Sequence, residues 1–185
     1  MSDVVLLNPP LVRLNNPVRI MVEAAFVLIA ALLPAFVHSM GWNGAVLLPM
    51  HWTVLLAGLV FGPLGGFAAG LLSPLVSYAI SGLPAAAMLL PMTLETATYG
   101  LGSGVFRKLK LNVYVSTFLA MIAGRLVYTF TFLFLGRIST SILAFWQKAF
   151  MPGLVSALIM LLALPLLASA MGNILQQRHD TVQKN

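Results

Sequence analysis

Cysteine is absent from this 185-residue chain, which removes disulfides, thiolate nucleophiles and thiolate metal sites and leaves the compartment unreadable from redox chemistry. Charge is scarce as well. Asp, Glu, Lys and Arg together make up 8% of the residues, where soluble domains carry about a quarter, so a water-soluble fold is excluded. Also missing are H-E-x-x-H, Gly-x-Ser-x-Gly, a Walker A lysine and a pair of carboxylates on one helix. Metalloproteases, serine hydrolases, nucleotide hydrolases and acid–base enzymes need those residue sets. The expectation is a non-enzyme with no catalytic residue, no metal site and no cofactor of its own; an enzyme acting on lipid would lack both nucleophile and metal ligands. No long repeat, low-complexity stretch or linker interrupts the chain, and residues 1–185 read as one domain.

What is present is apolar: 60% of residues are hydrophobic and the mean hydropathy is +0.99. At about 20 apolar residues per span, this composition predicts an all-α integral membrane bundle of about six helices. The lead carries Asp3 and several prolines and lacks the basic and short apolar regions of a cleaved signal peptide, so the first hydrophobic segment is expected to stay in place. Apolar runs follow at 20–40, 52–61, 64–80, 85–106, 113–135 and 150–174. The run at 52–61 is too short to span alone. Gly62-Pro63 separates it from the next, and a proline there predicts two helices joined by a very tight turn. Gly62, Gly66 and Gly70 recur every four residues, the pattern that lets helices approach closely in lipid.

The basic residues sit at span ends, as bilayer orientation requires, and not along one face as nucleic-acid binding would require. Placing both termini in the cytoplasm puts Arg13, Arg19, Arg107, Lys108, Lys110, Arg178 and Lys184 inside and leaves Arg137 and Lys148 outside. Seven against two orients the bundle by the positive-inside rule.

Three charged residues fall within the apolar runs: Glu23, Glu95 and Arg125. Each costs about 2.5 to 3.5 kcal/mol at mid-helix on insertion scales. Glu23 lies near the cytoplasmic end and can reach the interface. Glu95 is about ten residues from the outer end of its run, about 15 Å deep, and Arg125 about eleven residues, about 16 Å deep. Matching depth admits two readings: a buried ion pair that holds two helices in register, or the polar floor of a ligand cavity open to the outside. Tyr99 and Tyr128 lie close to a turn away from Glu95 and Arg125 on the same faces, which favours the cavity. The loop from His38 to Trp52 offers Trp42, Asn43, Met50 and His51 as a lid of aromatic and hydrogen-bonding groups.

The strings Pro49-Met50-His51-Trp52-Thr53-Val54-Leu55-Leu56-Ala57-Gly58, Phe61-Gly62-Pro63-Leu64-Gly65-Gly66, Ser73-Pro74-Leu75 and Leu94-Glu95-Thr96-Ala97-Thr98-Tyr99-Gly100, in this order and spacing, resemble the substrate-binding S components of prokaryotic energy-coupling factor (ECF) vitamin transporters. The resemblance implies a subunit of the cell membrane that binds a scarce vitamin or precursor outside, with the loop after the first helix capping the pocket. It also implies partners: a transmembrane T component and two ATPases whose ATP hydrolysis drives release inside as the S component topples in the membrane. In the family, small residues four apart on the first helix pack on the T component, and Ala31 and Ala35 fit that pattern. The Met50-His51 and Glu95 to Tyr99 strings resemble members assigned to hydroxymethylpyrimidine or pyridoxine; pantothenate is the alternative, because Arg125 would pair with its carboxylate.

The resulting substrate-binding set is Trp42, Asn43, Met50, His51, Glu95, Tyr99, Arg125 and Tyr128. A reading of another class, a membrane scaffold or assembly subunit whose Glu95 and Arg125 merely pair, stays open at this point.

Overall fold

The computed structural model describes residues 11–12 and 16–184. Helices follow one another with short connections: α1 (Asn16–Ser39), the single turn α2 (Gly44–Leu47), α3 (Pro49–Phe61), α4 (Pro63–Ser81), α5 (Ala86–Lys108), α6 (Val113–Phe134), α7 (Ile142–Phe150) and α8 (Leu154–Lys184). No strand occurs among the described residues. Five stretches are long and apolar enough to cross a membrane: Pro17–Ser39, Gly44–Phe61, Pro63–Ser81, Val113–Phe134 and Leu154–Leu175. The molecule is thus a multi-pass membrane bundle. Asp3 and Arg13, which bear on the leader and the orientation, lie outside the described residues, as do the side chains of Arg178, Asp180 and Lys184.

The six-helix expectation needs one correction. Among the described residues seven helices are longer than a single turn, and the extra one is α7. Its nine residues reach only about 14 Å, too short to span. It exposes Ile142, Leu143 and Trp146 and turns Phe145 and Phe150 onto Tyr128, with Phe145 also against Phe132. A short helix of this kind leaves no long apolar run to find, so hydropathy passes over it. Elsewhere the helices follow the apolar runs, but two readings of the spans change: α5, over the run at 85–106, is not among the five stretches apolar enough to cross, and the run at 52–61 lies within one that is, Gly44–Phe61. Pro49 opens α3 three residues earlier than the run does, a position where its missing N–H costs nothing. Gly62 alone links α3 to α4, with φ +84°, a conformation that side chains rarely adopt.

α5 packs against α3, α4 and α6 at the centre of the bundle. Apolar side chains gain little by leaving lipid for protein, so association must come from close packing and interhelical hydrogen bonds. A glycine seam provides the first. A side chain on Gly66 would run into the Gly100 carbonyl, one on Gly100 into the Gly66 carbonyl, and one on Gly70 into the Thr96 carbonyl. Hydroxyls provide the second: Thr96 Oγ1 donates to the Gly70 carbonyl across α4 and α5 at 2.7 Å, and Ser103 Oγ to the Leu55 carbonyl across α5 and α3 at 3.3 Å. Each such bond contributes about 0.6 kcal/mol in lipid. Glu23 receives a 2.7 Å hydrogen bond from Arg19 Nε one turn earlier, so its charge is balanced on its own helix.

The first helix departs from expectation in its faces. Ala31 is 1% exposed and packs into the bundle, and Ala35 is half-buried. The outward face of α1 carries Leu28, Ile29, Leu32 and Phe36 instead.

Candidate functional site

At the end of the bundle where α1 finishes and α5 begins lies a cavity of about 440 Å³. That is toward the lower end of the roughly 300–1,000 Å³ of small-molecule sites. The chain reaches it through two local devices. Asn43 caps α2 by accepting a 2.9 Å hydrogen bond from the Ala45 amide on its Oδ1, a preferred use of asparagine at a helix start. Leu48 then adopts the left-handed conformation, φ 50° and ψ 47°, which breaks the helix for one residue and lets α3 begin at Pro49. As a result Asn43, Met50 and His51 all line the cavity.

Its floor is the Glu95–Arg125 pair. Nine residues into α5, Glu95 is 2% exposed. Arg125 Nη1 donates to its Oε1 at 2.8 Å, and the Tyr99 hydroxyl donates to the same oxygen at 2.8 Å. The depths read from two separate helices therefore end in contact. Arg125 is itself 22% exposed, lines the cavity and lies 4.6 Å above the Phe150 ring, a cation–π distance.

His51 completes the floor. It is 4% exposed, its ring lies 5.3 Å from the Tyr99 ring, and its Nε2 is 3.7 Å from Glu95 Oε2, too far for a hydrogen bond. Neither ring nitrogen has a hydrogen-bond partner among the described residues. A buried polar group in that condition is costly unless something else satisfies it. The unpartnered histidine nitrogens, the Glu95 carboxylate and the Arg125 guanidinium thus form one polar cluster at the bottom of the cavity.

A family model described as the ECF transporter, substrate-specific component, matches residues 18–176, well over half of the chain. The chain belongs to this family. As an S component it is a substrate-specific transporter subunit, not a member of an enzyme family, and its family implies association with ECF T and ATPase components in a membrane complex. Comparison with curated proteins and with solved structures returned no match.

The S component brings Asn43, Met50, His51, Glu95, Arg125 and Tyr128 together on one cavity. Two of the expected residues stand elsewhere. Tyr99 lies beneath the floor, fully enclosed, and reaches the cavity only through Glu95. Trp42 is 56% exposed and outside the lining, because the chain turns at Gly41 and directs the next helix turn, not the indole, over the opening. Tyr128 sits where α6 meets α7, its hydroxyl 3.8 Å from the Met88 sulfur. Sequence reasoning missed Lys148, Met88 and Met92, which also line the cavity. Met92 and Met88, one and two turns before Glu95, share its helix face, a signal that could have found them.

Tyr99 also depends on a glycine. A side chain on Gly124 of α6 would fall on the Tyr99 ring, which has no room to move. Gly124→Ala should therefore drive the phenol off Glu95. We expect about a tenfold loss of ligand affinity, the size of one buried charge-assisted hydrogen bond, with membrane insertion intact. Unchanged affinity by calorimetry would show that Tyr99 does not hold the floor in place.

Proposed function

We propose that this S component captures a water-soluble vitamin or vitamin precursor from the outer side of a prokaryotic cell membrane, with both of its own termini in the cytoplasm. It hands the substrate inward when a T component and two ATPases, which supply the ATP hydrolysis, act on it. The observation that carries the reading is a buried polar floor in a cavity of a membrane bundle, where the two unpartnered ring nitrogens of His51 stand beside the Glu95–Arg125 pair. Hydroxymethylpyrimidine and pyridoxine, small heterocycles with hydroxymethyl groups, offer a donor for Glu95 Oε2 and a partner for the histidine. Pantothenate offers hydroxyls for the same groups and adds a carboxylate. Membership of a substrate-binding family does not favour the scaffold reading, in which the ion pair is an end in itself.

The test is binding. Detergent-purified protein, heated with each member of a B-vitamin and precursor panel, should melt several degrees higher with its own ligand, since a ligand at 100 times its Kd adds about 2.7 kcal/mol to the folded state. Native mass spectrometry of gently extracted protein should show the same compound retained. A panel with no shift and no retained mass would remove the vitamin reading.

A further inference from the structure

From the charges around the cavity mouth we infer that the ligand is a small organic anion, its carboxylate or phosphate held at the rim by Lys148 while its hydroxyl or N–H end meets Glu95 and His51. This rests on the vitamin-binding reading and adds the ligand's charge to it.

Electrostatic balance points to that charge. The sequence has four acidic residues: Asp3, Glu23, Glu95 and Asp180. Glu23 is engaged with Arg19 on the first two turns of α1, far along that helix from the cavity. Glu95 is the one acid lining the cavity, and Arg125 already answers it at 2.8 Å. Lys148 lines the same cavity from α7, and no carboxylate among the described residues forms an ion pair with it. The Glu95 and Arg125 charges therefore answer one another, and the Lys148 charge at the rim is left over.

Two further features raise the potential at the rim. Leu83, Pro84 and Ala85, which lead into α5, line the cavity, so the positive end of a 23-residue helix with no acid in its first turn and no side-chain cap lies there. Arg137 is fastened to the same turn by donating to the Ala87 carbonyl, which keeps a second cation close by. A low-dielectric wall concentrates such a field and selects for negative charge. An uncharged ligand would leave that field unanswered. A ligand with one anionic end answers it, and its polar opposite end satisfies the orphaned nitrogens of His51.

The experiment compares matched acid and neutral probes on the full-length protein in detergent, by calorimetry. Pantothenate against pantothenyl alcohol and nicotinate against nicotinamide test a carboxylate; pyridoxal 5′-phosphate against pyridoxal and hydroxymethylpyrimidine phosphate against hydroxymethylpyrimidine test a phosphate. For at least one pair the anion should bind about 30-fold or more tighter, as an order of magnitude for a charge answered in a focused field. Lys148 is exposed, so Lys148→Met should fold normally and cut the anion's affinity about tenfold while leaving the neutral probe unaffected. The loss should shrink as salt rises. If a neutral member binds as tightly as its anion, or if Lys148→Met leaves the anion's affinity unchanged, the charge assignment falls and vitamin binding stands. If no member of any pair binds but another compound of the vitamin panel does, the charge assignment falls alone when that compound is neutral; if nothing in the panel binds, both readings fall together.

Discussion

Glu95→Gln should lower ligand affinity about 100-fold or more while the protein still inserts and folds. The carboxylate is 2% exposed and accepts from both Arg125 and Tyr99 on one oxygen; its other oxygen, 3.7 Å from His51 Nε2, is the one proposed to meet the ligand. An amide keeps the shape but removes the charge that holds the guanidinium, and truncating one partner of a buried hydrogen-bonded charge pair costs about 2 to 5 kcal/mol. Insertion should not suffer, since glutamine costs less than glutamate in the bilayer centre. Arg125→Met should weaken binding comparably, and it strands an enclosed carboxylate, so its stability loss should be the larger, about 3 kcal/mol.

The double variant separates the two roles of the pair. With both charges gone, the stability penalty should largely disappear, because an uncharged couple of similar volume is often neutral or stabilising, while binding should stay lost. Calorimetry and thermal melting on the four proteins make a complete cycle. Normal ligand affinity in the double variant would mean that Glu95 and Arg125 serve only to register α5 against α6.

Gly100→Val is expected to have the largest effect on stability, a loss of about 3 kcal/mol or more or outright failure to fold. A side chain there meets the Gly66 carbonyl, and Gly66 in turn faces both the Gly100 carbonyl and the Gly58 Cα. The obstacles are backbone, which cannot rotate away as a side chain can, so α4 and α5 must separate along the seam. Overpacking typically costs about 1 to 3 kcal/mol where side chains can adjust, and here they cannot. Separation would also break the Thr96 to Gly70 bond. Gly102→Ala is the control: its added carbon would sit 3.5 Å from Ala120, an ordinary contact, and melting should shift by no more than a degree or two. Equal melting of the two variants would mean that the seam is not where the bundle gains its stability.

The functional region was partly legible because charge is expensive in lipid. Glu95 and Arg125 stand out in apolar runs, and counting residues at about 1.5 Å each placed them at one depth. His51 could be named only through the family resemblance and its neighbourhood; nothing in the sequence says that both of its nitrogens end up without a partner. Lys148 was invisible as a site residue, since a lone lysine near a span end reads as a topology signal. The placement of Trp42 outside the cavity lining and of Ala31 inside the bundle could not be read for a shared reason: residue type says what a side chain can do but not which way its helix or loop is turned.

By itself the sequence determined that this is a helical membrane protein, where most of its spans fall, and which two buried charges need an explanation. Those follow from transfer costs that depend on composition and on position along one helix. Which faces meet, that one oxygen of Glu95 takes the Arg125 and Tyr99 bonds while the other faces His51, that α7 brings a lysine to the cavity, and that Ala31 turns inward were decided only in three dimensions. Close packing between helices depends on backbone approach at Gly66, Gly100 and Gly124, and that is a property of pairs of helices, which no single stretch of chain contains.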